Sequence, residues 1–117
     1  MGIFWNRICM VIINYDSPTN KDIEEFRNTM DEEIKHLLVG PIHMVNFTKC
    51  WFFAPDGSKF GWDHSNKAQE ARQKFSDMCN EKAWVRWYSD GDYGEYVTDG
   101  DGKTIMEDEE SKYWSNY

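Results

Sequence analysis

His43, Cys50, Asp63 and His64 are the residues of this 117-residue chain whose types suit nucleophilic or metal chemistry. A histidine base beside Cys50 would activate it as a nucleophile, and His43, Asp63 and His64 are of the types that ligate zinc. None stands at the close spacing of a catalytic or metal motif. Cys50 lies in an apolar stretch, where a thiol is expected to be buried and inert. His64, beside a helix start, is expected at the surface. The set therefore predicts no catalytic residue, no metal, no cofactor and no enzyme, with a thiol- or metal-dependent enzyme as the weaker alternative.

A second cluster is carboxylic. Asp99-Gly100-Asp101-Gly102-Lys103 places acids at the first and third positions of a calcium loop, with Glu110 at the twelfth. Lys103 at the fifth position repels the cation, however, and Thr104 stands where the turn glycine belongs. Flanks that read as strands make a hairpin turn the better expectation. A looser carboxylate site from Asp90, Asp92, Asp99 and Asp101 is the weaker one.

These acids belong to a larger pattern. Residues 1–88 carry 12 acidic and 11 basic side chains, whereas residues 89–117 carry nine acidic and two basic ones, out of a net −8. The acidic block is interleaved with aromatics, and carboxylates spaced like phosphates can occupy a nucleic-acid-binding groove while rings anchor the contact. The expected partner-binding residues are Asp90, Asp92, Tyr93, Glu95, Tyr96, Asp99, Asp101, Glu107, Asp108, Glu109, Glu110, Tyr113 and Trp114. The plainer alternative is a solvated acidic tail.

This charge disfavours direct contact with nucleic acid or an anionic membrane and favours a basic protein. Trp51, Phe53, Trp62, Trp84 and Trp87 raise the alternative of bases stacking on a sheet face, but the basic surround such a site needs is missing. An aromatic content of 16% argues against disorder. Three cysteines, Cys9, Cys50 and Cys79, without CxxC spacing point to a reducing cytoplasm. The apolar run Ile8–Ile13 is too short for a signal core or membrane span. Met1-Gly2 is not a myristoylation site, because Asn6 stands where Ser or Thr is needed.

The elements expected to position these residues can be taken in order. Ile8–Ile13 reads as a strand buried on both faces, hence central. Ser17 or Thr19 caps a helix whose inner face is Ile23, Phe26, Met30, Ile34, Leu37 and Leu38, ending at Gly40-Pro41. His43–Trp62 reads as a hairpin: an apolar arm from Met44 to Phe53, a turn at Ala54-Pro55-Asp56-Gly57, and a return arm from Lys59 to Trp62. Asp63–Asn66 offers the cap of a second helix, with Ala68, Ala71, Phe75, Met78 and Cys79 inward. Ala83–Tyr88 is a strand, Ser89–Gly94 a turn, and Glu95–Thr98 and Lys103–Met106 two short strands.

Strand, helix, hairpin, helix, strand is the ferredoxin-like βαββαβ plan, an α+β antiparallel sheet with two helices on one face. A C-terminal β-hairpin and acidic extension follow. One domain is expected over 1–117, with a core at 1–88 and an acidic, aromatic-rich extension at 89–117. In composition the chain resembles small phage-encoded accessory and inhibitor proteins: short, acidic, aromatic-rich and free of catalytic signatures. That resemblance implies a DNA-mimicking, host-defence-antagonising binder of a basic, nucleic-acid-processing host protein, working in the host cytoplasm. The alternative is a nucleotide- or small-molecule-sequestering protein that stacks its ligand on Trp and Tyr in an oligomer cleft, such as a homodimer.

Overall fold

The structure, a computed structural model, describes residues 6–14, 17–58, 61–90, 96–101 and 103–107. It is a small α+β fold built on an antiparallel sheet and two helices. In chain order the elements are β1 (Asn6–Ile13), α1 (Asn20–Asn28), β2 (Leu38–His43), β3 (Lys49–Phe53), α2 (Asp63–Cys79), β4 (Trp84–Asp90), β5 (Tyr96–Asp99) and β6 (Thr104–Glu107). The six strands lie in the order β2-β3-β1-β4-β5-β6, each antiparallel to its neighbours.

β1 is central, as its apolar run predicts, but it is not equally buried on both faces. Cys9, Val11 and Ile13 are fully buried, whereas Ile8, Met10 and Ile12 between them are half-buried. Successive side chains of a strand point to opposite faces, so only one face is sealed. That face continues into Trp51 and Phe53 of β3 and Val85 and Trp87 of β4, and α1 and α2 close it with Ile23, Ala68, Phe75 and Cys79. Phe75 joins the layers, its ring centroid 5.9 Å from that of Phe26 and 6.1 Å from that of Phe53. Each such large apolar side chain contributes ~1.5–3 kcal/mol relative to exposure.

Of the two caps open to α1, Thr19 is the one used. It accepts from the backbone N–H of Asp22, while the Asp22 carboxylate accepts from that of Thr19, a complete capping box. The helix is shorter than its apolar spacing predicts. Thr29 turns its hydroxyl onto the Phe26 carbonyl, and the Asp31 carboxylate accepts from the Glu33 N–H. Such side-chain bonds offer the backbone an alternative to the helix. Met30, Ile34 and Leu37 still reach the same core, through a turn and a short 3-10 segment, Lys35–Leu37. Leu38 already belongs to β2.

Gly40-Pro41, expected to end the helix, instead sits inside β2, where the pairing with β3 is irregular between Val39 and Ile42. Gly40 has φ +148°, and a methyl there would come within 2.8 Å of the Trp51 ring. Only glycine lets the edge strand lie that close.

The hairpin also differs from expectation. β2 and β3 are its arms, and the chain reverses at 44–48, not at Ala54–Gly57. Asn46 and Phe47 both adopt left-handed backbone, φ 61° and 60°. The Met44 N–H donates to the Thr48 carbonyl at 2.8 Å, closing the turn. Two consecutive positive φ values mark the type I′ hairpin turn, but Phe47 occupies a place where glycine is usual. Residues 54–58 lead from β3 toward α2, and Lys59 and Phe60 of the expected return arm lie outside the described residues. At the start of α2 the cap position is Trp62, without a side-chain cap bond, and Asp63 is the first helical residue. No helix among the described residues is long and apolar enough to cross a membrane.

Candidate functional site

The expected thiol and metal set does not come together. Cys50 pairs with Ile12 and Ile42, on the sheet face opposite Trp51 and Phe53. His43 pairs with Lys49, one position along, and adjacent strand residues point to opposite faces. His64 stands in the first turn of α2, which packs on the Trp51 side. Neither His43 nor His64 therefore serves Cys50 as a base. Burial pushes the Cys50 thiol up. It drives those of Cys9 and Cys79 up to about 12, with the neighbouring Cys79 adding to the effect at Cys9. All three cysteines are free and buried, and protonated thiols are poor nucleophiles. Among the described residues no group of three or more His, Cys, Asp or Glu is arranged to hold a metal ion.

His64 has a different partner, one that the sequence did not single out. The Asp56 side chain is fully buried, and its Oδ2 lies 2.7 Å from His64 Nδ1. The Ser58 hydroxyl donates to the same oxygen. Burial alone raises this carboxyl, but the bonds from Ser58 and His64 outweigh it and hold Asp56 below the usual carboxylate range. The ionised carboxylate can only accept, so Nδ1 carries a proton toward it, on a side chain 38% exposed.

Arg72 lies behind this cluster with no exposed surface. Its Nη1 donates to the Ala54 carbonyl at 2.8 Å, and Nε and Nη2 donate to Gln69 Oε1 at 3.2 and 3.1 Å. Burial lowers its pKa to about 10, partly countered by the charge of Asp56, so the guanidinium stays charged at neutral pH. Together these groups latch the 54–58 segment to α2. A buried carboxylate orienting an imidazole is also how catalytic histidines are held, but Ser58 faces Asp56 rather than Nε2. Asp56 looked like turn chemistry in the sequence because nothing in Pro-Asp-Gly reports that its carboxylate turns inward.

The acidic set divides. Asp90 closes β4 and Glu107 closes β6, while Tyr96 opens β5, paired with Ser89 and Glu107. Asp99 Oδ1 accepts from the backbone N–H groups of Asp101 and Lys103 at 3.0 and 2.9 Å, the hairpin-turn role rather than a cation ligand. Asp101 Oδ1 accepts from Asn80 Nδ2 at 2.9 Å, tying the β5–β6 turn to the end of α2. Gly100 packs directly on the same Asn80 amide. Asp92, Tyr93, Glu95, Asp108, Glu109, Glu110, Tyr113 and Trp114 lie outside the described residues.

The aromatics considered for base stacking are mostly elsewhere. Trp51, Phe53 and Trp87 are buried beneath the helices, the last donating from Nε1 to Ser76 Oγ at 3.1 Å. Trp84 alone of that set reaches the open sheet face, and Trp62 precedes α2. A recess beside the β2–β3 turn, about 690 Å³, is lined among the described residues by Asn14, His43, Met44, Asn46, Phe47, Thr48 and Lys49, none of which is a carboxylate. Comparison with known proteins finds no matching family model, no matching curated protein and no matching solved structure.

Proposed function

We propose that the protein is a small acidic binding module that occupies a basic, nucleic-acid-handling surface of a host protein. Its contact region is the acidic, aromatic C-terminal part, in the manner of a phage-type inhibitor. The observation that carries this is the placement of charge. The body to residue 88 is close to neutral, and the acidic residues begin where β4 ends and continue along a hairpin added at the sheet edge. The Asn80–Asp101 bond fixes that hairpin's turn to the body, so its charges meet a partner on a supported element. The element order, with β2-β3-β1-β4 as the strand order of the first four strands, supports the ferredoxin-like plan with β5–β6 as its extension. The cytoplasm is the proposed compartment, supported by three free thiols.

The test is affinity capture from bacterial lysate at low and raised salt. The full chain is compared with a variant in which Asp90, Asp92 and Asp108 become Asn and Glu107, Glu109 and Glu110 become Gln. Asp99 and Asp101 are kept because they hold the turn. A basic nucleic-acid-processing protein retained by the parent, released by salt and lost by the variant is the expected result. Equal capture by both proteins, or no basic protein at all, would overturn the proposal.

A further inference from the structure

Cys9 and Cys79 lie on facing elements of the sealed core. Cys9 is on β1, on the face that carries Phe53 and Trp87, its partners in the strand register. Cys79 closes α2 and belongs to the buried stripe of that helix with Phe75 and Ser76. Ser76 joins the two. Its hydroxyl accepts from the indole N–H of Trp87, the cross-strand neighbour of Cys9, at 3.1 Å, and also interacts with the Cys9 thiol. Cys79 is three positions further along the helix, hence on the same face one turn on. α2 and β1 bring Cα atoms within 8 Å of each other, and both cysteines sit in one core cluster with no exposed surface. The Cys79 sulfur is near enough for its charge to push the Cys9 thiol further up. Cys50 is on the opposite face of the sheet, in register with Ile12.

We propose that Cys9 and Cys79 form a disulfide under oxidising conditions, a redox-driven lock between the central strand and the end of α2. The co-reactant is a small-molecule disulfide of the glutathione type. One cysteine thiolate attacks it, forming a mixed disulfide and releasing one glutathione thiol. The second cysteine then attacks the mixed disulfide, which closes the bond between Cys9 and Cys79 and releases the other. Two thiol protons and two electrons pass from the protein to the glutathione pair. Burial keeps both thiols protonated in the closed fold, so exchange takes place when the end of α2 opens. A reducing compartment leaves the pair reduced. Asn80 follows Cys79 directly and holds Asp101 of the β5–β6 turn, so the bond anchors the support of that turn to β1.

Chain length alone selects a different pair. In an unfolded chain, loop closure weakens with about the 3/2 power of loop length. Cys50 and Cys79 are about 30 residues apart and Cys9 and Cys79 about 70, so the unfolded chain favours Cys50 with Cys79 by roughly three- to fourfold. The fold reverses this order by holding Cys50 on the other side of the sheet.

The full chain, reduced, refolded from urea in an oxidising glutathione buffer and quenched by alkylation, tests this. Intact mass should show one alkylated cysteine, and peptide mapping should place it at Cys50 and join Cys9 to Cys79. The oxidised form should melt about 8–16 °C above the reduced one. The same oxidation held in urea should give all three pairings, with Cys50 to Cys79 the most abundant. Cys50→Ser should form the bond as the parent does. Three alkylated cysteines after oxidation in the native state, a native mixture like that in urea, or loss of the bond in Cys50→Ser would overturn the proposal. A bond that lowers the melting temperature would overturn it too.

Discussion

Replacing Asp56 with Asn tests the latch between the 54–58 segment and α2. In the parent, Oδ2 accepts from His64 and from Ser58 on a carboxylate with no exposed surface. Hydrogen bonds to charged groups contribute ~1.5–3 kcal/mol each, and an Asn carbonyl retains part of that, so a loss of ~2–3 kcal/mol is expected. For a domain of this size that lowers Tm by about 8–12 °C. Thermal and urea unfolding, followed by circular dichroism, give the value directly. Acid provides a second reading. The folded carboxyl sits below its ordinary value, near ~3.9 in an unfolded chain. Its contribution is therefore complete above about pH 4 and fades as pH falls through the folded value. The gap between parent and Asp56→Asn should be constant from about pH 5 to 7 and narrow below about 4. A loss under ~0.5 kcal/mol, the range of ordinary surface substitutions, or a gap that does not narrow in acid, would refute the buried-latch account.

Phe47→Gly should stabilise the protein. It relieves ~1–2 kcal/mol of left-handed strain and adds ~0.4–1 kcal/mol of freedom to the unfolded chain. The ring is 99% exposed, so little packing is lost, and urea melts should show a net gain of ~0.5–1 kcal/mol; a loss would mean that the turn is held otherwise. The thiols should be silent toward a disulfide reagent at pH 8 in the native protein, because burial keeps Cys9, Cys50 and Cys79 protonated, and all should react in denaturant. Rapid labelling of Cys50 without unfolding would show that the side chains around it on the helix-free face part in the native protein.

Much of the architecture was legible because its signals are local. The apolar run of β1, a cap at Ser17 or Thr19, the helical face of α2 and the strands after Ala83 each follow from neighbouring residues. What misled was chemistry satisfied at a distance. Pro55-Asp56-Gly57 has turn composition, yet the carboxylate of Asp56 is bound by His64, eight positions on. The true reversal uses Phe47 in a conformation that no propensity assigns to phenylalanine. The apolar spacing from Ile23 to Leu38 is real, since Met30, Ile34 and Leu37 all reach the core. It is read out by a turn as well as a helix, and periodicity alone does not separate the two. At the candidate sites, residue types flagged Cys50 with His43 and His64, but strand alternation and the placement of α2 keep them apart. The acidic residues were visible from charge alone, whereas the bond from Asn80 to Asp101 needed the fold.

Pro41 has a consequence for how this sheet could grow. Among the described residues β2 is an outer strand, and an outer strand presents amides on which a foreign chain can template. A proline in its middle removes one donor outright, and the irregular pairing between Val39 and Ile42 breaks the even ladder that an added strand would copy. Fibre-like propagation is thus disfavoured along this edge.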